Sequence, residues 1–168
     1  MFYSTQYSSP VGQLTLVSDG SHITGLWLEG QKYYLDTLSQ LPVLRDDLEV
    51  FDNAGNWLDR YFAGQKPHCR ELPLKPTGGE FRQAVWRNLC RIPYGEVTTY
   101  GAIAKSVAAE LGRLTMSAQA VGGAVGHNPI SIIIPCHRVV GAKGDLTGYA
   151  GGLEKKHWLL RLEGIAVE

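Results

Sequence analysis

The sequence predicts an α+β protein: a small N-terminal antiparallel sheet with one helix, followed by a mainly helical part that contains a helix-turn-helix. Three observations predict it. Apolar and polar residues alternate near the start, apolar residues recur every three to four positions in the second half, and a Pro- and Gly-rich stretch, GQKPHCRELPLKPTGG, separates the two patterns at residues 64–79. The boundary falls there, giving domains 1–79 and 80–168.

The elements follow in order. Leu14 and Leu16 alternate with Gln13 and Thr15, SDGS supplies turn residues, and HITGLWLEG reads as a returning strand, so the chain opens as an antiparallel meander. DNAGNWLDRYFAG then sets Trp57, Leu58, Tyr61 and Phe62 on one helical stripe, with Gly64 as terminator. Beyond the divide, Phe81, Val85 and Leu89 step by four until Pro93 ends a helix. Thr99 is placed to cap the next one, whose apolar positions Ile103, Val107 and Leu111 end at Gly112. Ser117 can cap a short second helix, AQAVGGAVG. The β-branched run ISIII predicts a buried strand or extended segment, closed by Pro135 just before Cys136.

Composition excludes several classes of protein. The 168 residues are 44% apolar and 19% charged, with no apolar run of the ~18 residues a membrane span needs. MFYSTQYSSP lacks the layout of a signal peptide, and three cysteines without paired spacing make no disulfide framework. A reduced, cytoplasmic protein is expected. Cys69 and Cys90 have no CxxC or HxxxH partner and read as packing residues, so no metal is expected. A formal net charge of zero argues against a strongly basic nucleic-acid binder, yet residues 1–79 stand at −3 and residues 80–168 at +3. A polyanion would prefer the second part, although scattered solvated charge explains the difference as well.

Two stretches carry chemistry. The short helix after Ser117 offers Ala118, Ala120, Gly122, Gly123 and Ala124 with one amide, Gln119, so it can read little base sequence in a major groove. Two internal glycines cost roughly 1 kcal/mol each, which implies close backbone approach to another surface, either a neighbouring helix or the minor groove of DNA. IIIPCHRVVG places a thiol at the rim of the core with an imidazole and a guanidinium beside it, a setting in which a thiolate is stabilised. Adjacent side chains diverge, so His137 would reach Cys136 through water or a backbone bend. A buried structural cysteine beside a surface histidine is the alternative.

IPYGEVTTYGAIA, AVGGAVGHNPISIIIPCHRVVG and GYAGGLEKKHWLLRLEG together resemble the O6-alkylguanine-DNA alkyltransferases, the methylated-DNA–protein-cysteine methyltransferases, over nearly all of residues 80–168. SPVGQLTLVSDG and WLDRYFAG are similar to the family's less diagnostic first domain. The resemblance implies direct-reversal DNA repair without a cofactor: an alkylated guanine, or an O4-alkylthymine, is flipped out of double-stranded DNA and its alkyl group moves irreversibly onto Cys136. It implies that His137 acts as base through water, that Glu163 orients His137, that Tyr100 donates to the departing base, and that Asn128 braces the turn before the nucleophile. Val139, Tyr149, Ala150 and Gly151 would line the pocket. Ala118, Gln119, Ala120, Gly122, Gly123 and Arg138 would face DNA in the minor groove. A monomer is implied, with cooperative assembly on DNA an open alternative. Two features depart from the family pattern. Gln119 stands where most members carry an arginine that fills the vacated stack, which predicts weaker phosphate attraction; and the first domain lacks enough Cys and His for the zinc that some members bind there.

Overall fold

In the computed structural model, which describes residues 1–167, the chain divides into two compact units. The first is Met1–Thr77 together with Pro129–Ile133, and the second is Gly78–Asn128 with the chain from Ile134 onward. The sequence placed residues 129–133 wholly with the second part; their backbone pairs them with the first.

Three strands form the meander of the first unit. β1 (Tyr3–Ser9) pairs antiparallel with β2 (Gly12–Ser18), which pairs antiparallel with β3 (Ile23–Leu28). The tight β1–β2 turn needs Gly12 at φ +103°, a conformation costly for any residue with a Cβ. A two-residue edge strand, β4 (Val43–Leu44), runs parallel to β1 and makes the sheet order β3-β2-β1-β4. β2 and β3 are buried almost throughout because α1 (Glu49–Phe62) packs Val50, Phe51, Ala54, Trp57, Leu58 and Tyr61 into the core of this unit. Helix α1 starts three residues before the predicted DNAGNW segment, at Glu49, since Val50 and Phe51 extend its apolar stripe.

Residues 130–134 depart from expectation. ISIII is buried, as its composition requires, but it forms a turn, with Ile132 at φ +70° and a single parallel bridge from Ile130 to Leu26. Leu26 N–H donates to Pro129 O at 2.8 Å and Ser131 N–H to Leu26 O at 3.0 Å, so the segment satisfies the outer edge of β3 at Leu26 alone and then leaves it.

The second unit is helical. α2 (Glu80–Leu89), α3 (Tyr100–Glu110) and α4 (Ala118–Gly126) pack on one another, and Trp86 Nε1–H reaches across to Ala124 O at 3.0 Å. The chain enters α2 through Gly78, where a Cβ would lie 2.5 Å from the Trp86 ring. Both predicted caps form: Thr99 Oγ1 accepts from Ala102 N–H at 3.1 Å, and Ser117 Oγ from Ala120 N–H at 3.2 Å. α3 ends where Gly112 turns left-handed at φ +67°, and residues 111–117 lead to α4. Two short parallel strands, β5 (Thr98–Thr99) and β6 (Val139–Val140), join the start of α3 to the segment after Cys136. α5 (Leu153–Leu162) closes the unit. Among the described residues no helix is long and apolar enough to cross a membrane.

Candidate active site

Cys136, His137 and Arg138 form a single 3-10 turn between Pro135 and β6, and all three are buried. Two features fix the turn. Asn128, at the end of α4, is 2% exposed and donates its amide to Ile134 O at 2.8 Å, and the β6–β5 pairing anchors Val139 against Thr98. The nucleophile candidate therefore sits on backbone held at both ends.

The imidazole is held as firmly. Glu163, just past the last turn of α5, places Oε2 2.6 Å from His137 Nε2, and both side chains are wholly buried. Arg138 donates Nε to Glu163 Oε1 at 2.7 Å and Nη2 to Oε2 at 3.2 Å, Gly95 N–H adds a bond to Oε1 at 3.2 Å, and the third arm of the guanidinium donates to Ile92 O at 2.7 Å. The guanidinium also lies 5.7 Å from the centre of the Tyr94 ring. Arg138 was expected to face DNA. It turns inward instead, its side chain 8% exposed, because a buried carboxylate needs a fixed cation more than the surface needs another charge.

These contacts set the protonation states. Burial raises the Glu163 carboxyl, but the hydrogen bonds from His137 and Arg138 and the positive charge of Arg138 more than offset it and bring it down to about 2. Burial lowers His137, and Arg138 and Lys156 lower it further, against the pull of Glu163. The imidazole is thus neutral beside an ionised carboxylate, donating Nε2–H to Glu163 and keeping its lone pair on Nδ1.

The acid sensitivity follows. A depressed His137 stabilises the fold above its ordinary value of 6.5, and this is lost as pH falls below 6.5 toward the native value, because the unfolded chain takes up a proton that the folded one refuses. A depressed Glu163 adds a second loss as pH falls from 4.5 toward about 2. Calorimetry should show the melting temperature dropping between pH 7 and 5, and His137→Gln should flatten that part of the curve; an equal drop in the variant contradicts the assignment.

Tyr100 opens α3 beside this turn. Burial raises its phenol pKa, with the Cys136 charge adding to the rise, so it stays protonated and can donate; its hydroxyl bonds Thr147 O at 3.3 Å. Val139 is fully buried, and Tyr149, Ala150 and Gly151 are half-buried in the loop before α5. Ala118, Gln119, Ala120 and Gly123 lie exposed on α4, with Gly122 half-buried. A Cβ on Gly123 would meet nothing within 4 Å, and one on Gly122 would only touch the Tyr100 ring at 3.8 Å. Close helix packing inside the molecule therefore does not account for the two glycines.

One residue escaped sequence reasoning. Lys156 on α5 is completely buried and donates to Val139 O at 2.7 Å, Thr147 O at 2.9 Å and Gly148 O at 3.2 Å. The signal was present, since counting back from buried Leu159 and Leu160 puts residue 156 on the inner face, with residue 163 one heptad on. Among the described residues no group of three or more His, Cys, Asp or Glu side chains is arranged to hold a metal ion.

A thiol on a rigid turn, an imidazole oriented by a buried carboxylate, and a neighbouring helix almost bare of side chains define a cysteine-nucleophile protein whose open face suits a large partner. The chain belongs to the 6-O-methylguanine DNA methyltransferase family: the family's DNA binding domain matches residues 80–165 and its ribonuclease-like domain residues 1–76. It is 45% identical over 163 residues to the methylated-DNA–protein-cysteine methyltransferase of Haemophilus influenzae, covering 97% of this chain and 87% of the relative. The protein of the same name from Mycobacterium tuberculosis H37Rv is 43% identical over 163 residues, with 97% and 93% covered. Among solved structures, Mycobacterium tuberculosis OGT in complex with DNA superposes with a TM-score of 0.81 at 41% identity, covering 96% of this chain and 91% of that one.

Proposed function

We propose that this chain repairs DNA by direct reversal, taking the alkyl group of an O6-alkylguanine onto Cys136 after the damaged base is flipped out of the duplex. The observation that carries the reading is the Glu163–His137 hydrogen bond, at 2.6 Å, immediately beside Cys136.

Glu163 fixes the tautomer, so His137 offers Nδ1 as the base that accepts the Cys136 proton through a water. The thiolate attacks the alkyl carbon in line with the C–O6 bond. A carbon–sulfur bond forms as the carbon–oxygen bond breaks, and the electron pair stays on guanine, which takes a proton from the side of the Tyr100 hydroxyl. Asn128 keeps the nucleophile turn in place, and Val139, Tyr149, Ala150 and Gly151 line the cavity around the alkyl group. The thioether has no ready leaving group, so each chain acts once. A duplex carrying one O6-methylguanine should lose its methyl groups in proportion to protein added, one per chain; repeated turnover would point to a cysteine hydrolase instead.

DNA would lie along α4 by its minor groove, where exposed Ala118, Ala120 and Gly123 allow the backbone to approach the sugar-phosphate walls. Gln119, exposed in the first turn, brings no charge of its own to phosphate. Gly123→Ala separates the two uses of this helix. It should stabilise the fold by about 0.5–1 kcal/mol through helix propensity and yet weaken DNA binding, because the methyl group projects into open space where the groove would sit. Denaturant titration and DNA titration of the same variant check both signs; stabilisation without loss of affinity would contradict this docking face. The reading needs one chain per lesion, which a monomer and a cooperative assembly on DNA both supply, in a reducing cytoplasm that keeps Cys136 a thiol.

A further inference from the structure

Leu114 has no place in the core or in the chemistry just described: it stands 102% exposed in the turn between α3 and α4, so the fold gains nothing from its being apolar. The turn itself is well fixed. Gly112 is left-handed at φ +67°, Arg113 N–H returns to Ala108 O at 2.8 Å, Met116 is half-buried, and Ser117 caps α4. Residues 112–115 and 117–120 are all exposed, so an open ridge runs from the turn into the face of α4 attributed to DNA. Leu114 lies three residues before the Ser117 cap, a reach of at most about 11 Å, or roughly three base-pair steps of duplex.

Charge along the two helices singles out the same turn. From Val97 to His127 the formally charged side chains are Lys105, Glu110 and Arg113. Glu110 is taken up by Arg87 at 3.3 Å, by Arg91 at 3.7 Å and by the Asn88 amide at 3.4 Å. Lys105 lies in the middle of α3, whereas Arg113 belongs to the ridge, and among the described residues no hydrogen bond or ion pair engages its side chain. Gln119 brings no charge, which leaves Arg113 as the formal cation nearest in sequence to the exposed first turn of α4.

We infer that the α3–α4 turn is a second DNA contact, with Arg113 on a backbone phosphate and Leu114 against the sugar walls of the minor groove. This rests on the reading of α4 as the DNA face. Arg113 supplies the phosphate attraction that Gln119 lacks, and Leu114 buries on DNA the apolar surface that the free protein leaves in water. Both residues act on docking and neither touches the bond made at Cys136.

The test titrates wild type, Arg113→Gln and Leu114→Ser with an O6-methylguanine duplex too short for more than one chain, at several salt concentrations. Arg70→Gln, which removes an exposed charge from the first unit, is the control. Arg113→Gln is expected to bind about tenfold more weakly, with its slope of log affinity against log salt shallower by about 0.9, the value for one phosphate contact. Leu114→Ser is expected to lose about tenfold with the slope kept, since it removes apolar contact and no charge. Excess protein should restore transfer in both, and melting temperatures should stay at the wild-type value, because neither side chain packs in the fold. Arg70→Gln should bind as the wild type does. Wild-type affinity in either turn variant overturns the proposal, as does a loss in Arg70→Gln equal to that in Arg113→Gln, which would make the effect one of overall charge. A Leu114→Ser defect confined to a long duplex that holds several chains would assign the leucine to contacts between chains and overturn it as well. A wild-type protein that binds the duplex but leaves the methyl group on it contradicts the reading of Cys136 alone, while the titrations still report on the turn.

Discussion

Glu163→Ala is expected to cost about 3–5 kcal/mol of stability, enough to lower the melting temperature by on the order of 10 °C. The carboxylate accepts from His137, from two nitrogens of Arg138 and from Gly95 N–H, and neither Arg138 nor His137 can turn to solvent for a substitute partner. Alanine would leave a guanidinium buried without a counterion, which is the costly outcome for any buried pair. Transfer should fall with it, since an imidazole freed from Glu163 can adopt either tautomer. Glu163→Gln keeps the shape and some hydrogen bonds but not the charge, so its stability should lie between alanine and wild type. Denaturant midpoints for the three proteins check the order; a loss under about 1 kcal/mol for alanine would mean that the buried cluster contributes far less than its geometry implies.

Cys136→Ala should have the opposite profile, with complete loss of transfer at little cost in stability. The change removes one sulfur from a turn whose backbone is held by Asn128 and by the β5–β6 pairing, so the fold should lose only about 1 kcal/mol. Duplex affinity should persist, because the face attributed to DNA lies on α4 and not on the nucleophile turn. Single-turnover mixing with an O6-methylguanine duplex, followed by analysis of the DNA, checks this. Methyl loss in the alanine protein would move the acceptor elsewhere.

How much of this could be seen in the sequence depended on the range of the interactions involved. The caps at Thr99 and Ser117 and the stripe through Trp57, Leu58 and Tyr61 are local, and each formed where the residues indicated. β-branching told that ISIII is buried but not that it turns, because its partner is a single residue of β3 distant in the chain. The two residues of β4 carry no pattern of their own and pair parallel only because β1 is there. Arg138 looked like a surface cation from its neighbours alone; only the fold brings Glu163 within 2.7 Å and turns it inward. Lys156 hid inside EKKHW, a run that reads as a solvated face unless the helix phase is set by Leu159 and Leu160. A charge on the inner stripe of a helix was the overlooked signal at Lys156, which, like Glu163 at the end of α5, reaches toward the segment that carries the nucleophile.

Peptide mass mapping of the protein after mixing with duplex DNA containing O6-methylguanine tests the central claim most directly. The mass of one CH2 unit should appear on the peptide containing Cys136, in one copy per chain and on no other peptide. An unmodified Cys136 peptide from a mixture whose DNA has lost its methyl group, or the added mass on Cys69 or Cys90, would contradict it.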